Sequence, residues 1–209
     1  MLLDHATGTA SARVRNAIVP RDIAGTLEGH GAYVVSPVGP PRLWGMIAQT
    51  AANAIASTPA EPLNTLHTRA TERAARAVQS LRERLIEPRL TLDAHVAIAA
   101  VSNNVAYLSM TGGVRVYRVR GKTTERLQPR AETSLAIGHC APYLATDALL
   151  RHDWLLLGTP ESFSLRAVGS LTFLLDRSEH LLSQTLLDAM LLPVHETRNG
   201  GGLAVLRVL

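Results

Sequence analysis

The sequence has few of the residues and segments that cross-link a chain or anchor it in a membrane. Its one cysteine, Cys140, excludes an intramolecular disulfide framework. No apolar run approaches the roughly 18 residues of a membrane-spanning helix. The N-terminal segment, MLLDHATGTASARVR, lacks the basic start and the apolar core of a signal peptide. We therefore expect a cytoplasmic protein with no membrane partner.

Lysine is also scarce, so arginine supplies nearly all of the positive charge. Lys122 is the only lysine among 21 basic residues, and the formal net charge is +4. An arginine excess can indicate phosphate or nucleic-acid contact. Here the arginines are dispersed and form no run of four or more, which argues against a nucleic-acid surface. Alanine and leucine are abundant together with arginine, as is typical of a bias in genomic base composition.

What the chain does have is enough apolar sequence for a large core. Hydrophobic residues make up 46% of the 209 positions, so we expect a folded protein with no need for a disulfide or a metal to stabilise it. The length fits one domain over residues 1–209.

Periodicity predicts strands, then two helices, then more strands, a helix and a last strand. Residues 43–57 and 63–85 carry apolar side chains every three or four positions, as helices do. The apolar runs after residue 90 are separated by SNN, TGG and RGK, which predicts an antiparallel meander of hairpins followed by a looser stretch rich in Ala and Pro. Because strands and helices are segregated, we expect an α+β fold whose helix pair covers one antiparallel sheet.

The common catalytic motifs are missing. GKT at residues 121–123 resembles the end of a phosphate-binding loop, but Val116 stands where the first glycine is needed and a strand pattern follows. The chain has no G-x-S-x-G, H-E-x-x-H or C-x-x-C sequence, and its eight histidines have no ligand spacing. The loop in YVVSPVGPPRLWGM, residues 33–46, lies between a predicted strand and a predicted helix, a common place for a binding site, yet it contains no Asp, Glu, His or Cys.

Five segments, taken in order, resemble the metal-dependent protein serine/threonine phosphatases of the type 2C, or PPM, family. They span almost the whole chain, and their order and spacing carry the resemblance more than any single motif. The segments are ARVRN at 12–16, AYVVSPVGPPRLWGMIA at 32–48, AYLSMTGGVRVYRVRG at 106–121, HDWLLLGTPES at 152–162 and NGGGLAVLRV at 199–208. The resemblance implies a four-layer αββα sandwich of two antiparallel sheets flanked by helix pairs.

The resemblance also implies an active site at one end of that sandwich. In the family, acidic side chains there hold two Mg²⁺ or Mn²⁺ ions, which activate a water for attack on a phosphoserine or phosphothreonine. In this chain the aligned positions are Val19, Pro20, Pro37, Val38, Pro160 and Asn199. None is a carboxylate. Asp22 lies two residues from the first pair and could be a shifted ligand, but one carboxylate would not hold two metal ions.

We therefore interpret the sequence as a pseudophosphatase, a PPM-like fold without catalytic residues, metal or other cofactor. Its predicted role is a protein-binding or regulatory scaffold in serine/threonine phosphorylation signalling, with a kinase or another signalling component as partner. Rigid prolines at Pro37, Pro40, Pro41 and Pro160 suggest metal loops remodelled into a fixed surface. The candidate contacts to a phosphate or a partner are Arg15, Arg42 and Trp44. The sequence leaves open whether Trp44 anchors a partner or packs inward.

Two alternatives remain at this stage. One is an enzyme with an active site outside the family pattern, built from His139, Cys140, His152 and Asp153. The other is a polyanion or nucleic-acid binder that uses Arg115, Arg118, Arg120 and Lys122. Strand alternation would put Arg118 and Arg120 on one face and Arg115 on the other, which divides that patch.

Overall fold

The structure, a computed structural model, describes residues 3–85, 91–127, 136–138, 141–177, 181–196 and 199–209. Within these ranges the chain forms eleven strands and four α-helices. The first half contains β1 (Leu3–Val14), β2 (Ala17–Val19), β3 (Ile23–Thr26), β4 (Gly31–Val38), α1 (Trp44–Ala56), α2 (Leu63–Arg84) and β5 (Asp93–Ser102). The second half contains β6 (Val105–Met110), β7 (Arg115–Arg120), β8 (Thr123–Arg126), β9 (Tyr143–Ala148), β10 (Trp154–Gly158), α3 (Leu165–Arg177), α4 (Ser183–Glu196) and β11 (Asn199–Val208).

The strands form two sheets, and every pairing within them is antiparallel. The first sheet has the order β2-β1-β11-β10-β7-β8, and the second has the order β3-β4-β5-β6-β9. Helices α1 and α2 pack on the second sheet, where Ile47, Ile55 and Leu66 are buried against its strands. Helices α3 and α4 pack on the first sheet through residues such as Leu186 and Met190. The expected αββα sandwich is confirmed.

Alternation along the strands of the second sheet separates two apolar layers. Tyr33 and Val35 of β4 face the helix pair, whereas Val34 faces the other sheet. Small side chains are frequent on the face between the sheets, and Ala97 and Ala99 of β5 are fully buried there. Because successive side chains point to opposite faces, this alternation fixes which residues at the end of each strand point between the sheets.

The two predicted helices lie where periodicity placed them. Expected over 43–57 and 63–85, they run over Trp44–Ala56 and Leu63–Arg84. In α2, Ala70 and Ala74 are buried and Arg73 is exposed, as an amphipathic helix requires. None of the helices within the described part of the chain is both long and apolar enough to cross a membrane.

The predicted single meander is wrong. The chain leaves the second sheet after β6, and β7 and β8 pair in the first sheet. The break lies at Gly112, whose φ of +53° suits the turn that redirects the chain. The stretch that looked loose contains β9, which returns to pair with β6 from Val105↔Ala148 to Met110↔Tyr143. Alternating exposure along β9, an edge strand, explains its weak apolar signal.

Candidate functional site

Four segments of the chain meet at one end of the sandwich, around the guanidinium of Arg21. Its Nη1 donates a hydrogen bond to the backbone oxygen of Asn199, at 2.9 Å, and lies 3.4 Å from Oε1 of Glu161. Its Nε lies 3.8 Å from Oδ1 of Asp22, and its Cζ lies 5.5 Å from the centre of the Trp44 ring. One cation therefore contacts the start of β3, the start of α1, the 3₁₀ turn after β10 and the start of β11.

Asp22 is the most deeply buried acid of this group, with 3% of its surface exposed. Neither carboxylate oxygen accepts a hydrogen bond of normal geometry from the described residues. Burial raises the pKa of Asp22 to about 6, while Arg21 and the Ser36 side chain favour the charged form and Glu161 opposes it. A buried carboxylate of this kind is costly to keep charged, and Arg21 is the cation beside it.

Trp44 is held by its own chain. Its indole Nε1 donates a hydrogen bond to the backbone oxygen of Gly39, at 2.9 Å, and the ring lies beside Arg21. The side chain is half-buried. Of the two roles that the sequence left open, packing is therefore the one with a described contact. Next to it, Arg42 is exposed in the 3₁₀ turn Pro41–Leu43.

Glycine allows β11 to approach Asp22 closely. A Cβ at Gly202 would lie 3.1 Å from the Cβ of Asp22 and 3.3 Å from a methyl group of Val34. The backbone oxygen of Gly202 accepts hydrogen bonds from the Thr159 backbone N–H and the Ser162 hydroxyl, each at 3.0 Å. The sequence GGG therefore supports packing between strand and turn, and it supplies no catalytic side chain.

His95 closes the site from β5. It pairs with Ser36 across the sheet. Burial lowers its pKa, and the charge of Arg21 lowers it further against the opposing charge of Asp93. A Cβ at Gly112 would lie 1.8 Å from Nδ1 of His95, so only glycine fits there. The lowered pKa favours the neutral imidazole, which packs against the turn between the two sheets.

The predicted metal-site positions differ in exposure and in their place in the fold. Pro20 is exposed, whereas Asp22, two residues later, is buried beside Gly202. Val19 ends β2, Pro37 and Val38 lie at the end of β4, and Pro160 begins the 3₁₀ turn after β10. Asn199 is the first residue of β11, and it meets Arg21 through its backbone oxygen rather than its side chain. Arg15 is exposed in the turn between β1 and β2 with φ +54°.

On β4, Ser36 rather than Pro37 is the residue beside Asp22. Val34 faces the space between the sheets, so Ser36 shares that face and Pro37 points towards the helices. The Ser36 side chain interacts with Asp22. Pro37 is moreover a strand residue, paired with Ala94, and not part of the loop.

Sequence reasoning missed Arg21, Ser36, Glu161 and His95. Two signals were available for part of this set. The first signal is Asp22, an acid directly before the strand IAGT, where the chain enters the sandwich. The second is the alternation of Tyr33, Val34 and Val35, which assigns Ser36 to the face between the sheets. The contact between Arg21 and Glu161 joins residues that are 140 positions apart, and one sequence carries no signal for it.

The alternative active site is not assembled by the described residues. His139 and Cys140 lie outside the described ranges. His152 is exposed in the turn before β10, whereas Asp22 lies beyond the other end of that strand. Asp153 is buried and forms a fork with Arg120, with Nε to Oδ1 at 2.9 Å and Nη2 to Oδ2 at 2.6 Å. That carboxylate is therefore the ion-pair partner of Arg120.

The alternative cationic patch is largely neutralised. Arg118 contacts both Asp147, at 2.6 Å, and Glu125. Lys122 lies 2.8 Å from Asp176 on α3. Because these cations already have acidic partners, they offer little uncompensated charge to a polyanion.

The residues at the Arg21 end do not fit a pair of divalent metal ions. Hard cations need several oxygen ligands, chiefly carboxylates. Within the described ranges no group of three or more His, Cys, Asp and Glu side chains is placed to hold a metal ion. Among the described residues, Asp22 and Glu161 are the acids that pair with Arg21, and the guanidinium lies against both.

No protein-family model and no curated protein sequence matches the chain. Solved structures do. PppA, "a key regulatory component of T6SS in Pseudomonas aeruginosa", matches with a TM-score of 0.80 at 17% identity, over 100% of this chain and 99% of that one.

Two further structures carry phosphatase descriptions. The catalytic domain of the serine/threonine protein phosphatase PstP in complex with two manganese ions matches with a TM-score of 0.77 at 14% identity, over 100% and 99% of the two chains. MsPP, a PPM Ser-Thr phosphatase from Mycobacterium smegmatis, matches with a TM-score of 0.75 at 15% identity, over the same shares. The chain therefore has the fold of the PPM serine/threonine phosphatases.

Proposed function

We propose that this protein is a pseudophosphatase, a PPM-fold module that binds a protein partner and does not hydrolyse phosphoesters. One observation carries the proposal: the end of the sandwich where the resemblance aligns the metal ligands has an arginine at its centre. Two-metal hydrolysis needs carboxylates that bind the ions and an activated water between the ions. Arg21 lies against Asp22 and Glu161, the two acids that would have to serve.

We further propose that the protein has a regulatory role in the cytoplasm. It would act there by binding a partner in serine/threonine phosphorylation signalling. The similarity to PppA, described as a regulatory component, supports it. So does the exposed surface beside the site, formed by Pro41, Arg42, Gly45 and Met46. Arg42, on the proline-bounded turn, and Met46, in the first turn of α1, suit a protein contact. A Ser/Thr kinase or another component of the same signalling system is the partner class we propose.

A phosphatase assay tests the catalytic half of the proposal. The purified protein is incubated with Mn²⁺ and either p-nitrophenyl phosphate or a phosphothreonine peptide, and phosphate release is followed. We expect no turnover above the metal-only blank. Turnover that disappears in Asp22→Asn would show that this end of the sandwich is an active site, and it would overturn the proposal. Turnover that persists in that variant and co-elutes with the protein would place hydrolysis at another site, and it would also overturn the proposal.

A binding experiment tests the proposed role in partner binding. The wild-type protein and Arg42→Glu are used as matched baits in native lysate, and captured proteins are identified by mass spectrometry. We expect a kinase or another signalling component that is captured by wild type and lost with Arg42→Glu. Arg73→Glu, on the exposed face of α2, is the control and should retain it. Equal capture by all three baits would reject this surface as the contact.

A further inference from the structure

The contacts of Arg21 coincide with the four segments on which the resemblance places metal ligands. Arg21 itself follows Pro20, the second residue of the first aligned pair. Its Nη1 reaches Glu161, which follows Pro160, and the backbone oxygen of Asn199. The fourth segment, the loop after Pro37, is reached through Trp44.

Arg21 reaches the loop after Pro37 indirectly, through the Trp44 side chain. The Trp44 ring lies beside the guanidinium, and its indole N–H bonds to the oxygen of Gly39 inside that loop. A planar guanidinium has five donors in a fixed fork and stacks on aromatic faces, so it can join several segments as a divalent ion joins several oxygens. An ammonium at the same place would lack that fork.

We propose that Arg21 is a built-in cation that holds this end of the sandwich together in place of bound metal ions. The related PstP catalytic domain was solved with two manganese ions, and here one covalently attached cation lies against Asp22 and Glu161. The inference deepens the proposed function, because the partner-binding end is then preformed and its affinity for a partner does not depend on divalent cations.

Burial supports this role for Arg21. The Arg21 side chain is 24% exposed, Glu161 is 25% exposed and the Asp22 side chain is fully buried. A surface ion pair in open solvent contributes little to stability, whereas removing the cation beside a buried carboxylate leaves an uncompensated charge. Arg21 is thus placed where its loss has a large effect.

The geometry also predicts what happens when the cation is replaced by an acid. In Arg21→Glu the carboxylate oxygens would stand at the same number of bonds from the backbone as Nε, which lies 3.8 Å from Oδ1 of Asp22. Two ligands on one Mg²⁺-sized ion with bonds of about 2.1 Å are about 3 Å apart, so a small movement would allow both carboxylates to bind one ion. Removing the built-in cation should therefore create a divalent-cation site.

The first arm of the test measures stability by urea denaturation in EDTA. We expect Arg21→Gln to raise the unfolding equilibrium constant about 10-fold to 100-fold, the range for a lost charged hydrogen bond. Arg15→Gln is the matched control, because Arg15 is exposed in the neighbouring turn, and it should change the constant less than about 3-fold. Equal effects of the two variants would overturn the proposal.

The second arm adds Mn²⁺ to wild type, Arg21→Gln and Arg21→Glu. We expect millimolar Mn²⁺ to stabilise Arg21→Glu at least about 10-fold, or to restore its far-UV circular dichroism if it is unfolded without metal, and to leave the other two unchanged. Equal stabilisation of wild type, or none of Arg21→Glu, would overturn the proposal. Neither arm measures turnover, so a failure here is distinct from a failure of the proposed pseudophosphatase function.

Discussion

Asp22→Asn should remove a specific part of the pH dependence of stability. Burial raises the pKa of Asp22 from its ordinary value of 3.8 to about 6. The folded state therefore binds a proton at this carboxyl more tightly than the unfolded state does. The resulting contribution to the free energy of unfolding is complete below pH 3.8 and is lost as the pH rises through about 6.

The magnitude follows from the size of the shift. A shift of about two pKa units corresponds to about 3 kcal/mol between the fully protonated and fully ionised limits. Only part of this free-energy difference develops between about pH 5 and about pH 7, where the assay is run. Between about pH 7 and about pH 5, linkage assigns roughly 1 kcal/mol of stabilisation to the protonation of Asp22.

The assay is urea denaturation of wild type and Asp22→Asn at several pH values across that window. Burial lowers the pKa values of His67 and His95, so both histidines destabilise the fold as the pH falls and oppose Asp22 in the wild-type curve. Both proteins share them, so the difference between the two curves isolates Asp22. We expect that difference to change by about 1 kcal/mol. Parallel curves would refute the reasoning about a buried, raised-pKa carboxylate.

Two further predictions concern the framework around the site. Arg120→Met should lower the urea midpoint of unfolding, because Asp153, 2% exposed, loses its forked partner. A midpoint unchanged from that of wild type would contradict this. Gly112→Ala should cost more than about 2 kcal/mol, because φ is +53° and the new Cβ would meet His95. In a His95→Ala background most of the clash disappears, and a double-mutant cycle should recover at least about 1 kcal/mol; strict additivity would show that the contact does not matter.

Much of the fold could be predicted from the sequence, because amphipathic helices and hairpin turns are local signals. The helices Trp44–Ala56 and Leu63–Arg84 follow from the spacing of their apolar residues. The change of sheet between β6 and β7 could not be predicted, since a tight glycine turn looks the same whether it closes a hairpin or crosses between sheets. Strand β9 was not predicted from the sequence, because it is an edge strand with alternating exposure and therefore has a weak apolar pattern.

The site was less predictable than the fold. The structure brings Asn199 and the residue after Pro160, two places that the resemblance named, together at Arg21. The resemblance could not show which neighbouring residue enters the interior, because an offset of two positions decides between exposed Pro20 and buried Asp22. The role of Arg21 emerges only when residues distant in sequence are brought together.

Calorimetric titration of Mn²⁺ into the wild-type protein tests the central claim most directly. If Arg21 stands in place of metal ions, Asp22 and Glu161 are already neutralised and the titration shows no saturable heat at millimolar Mn²⁺. Saturable binding to wild type that is abolished in Asp22→Asn would contradict the account, because it would show that the native site holds a metal despite the arginine.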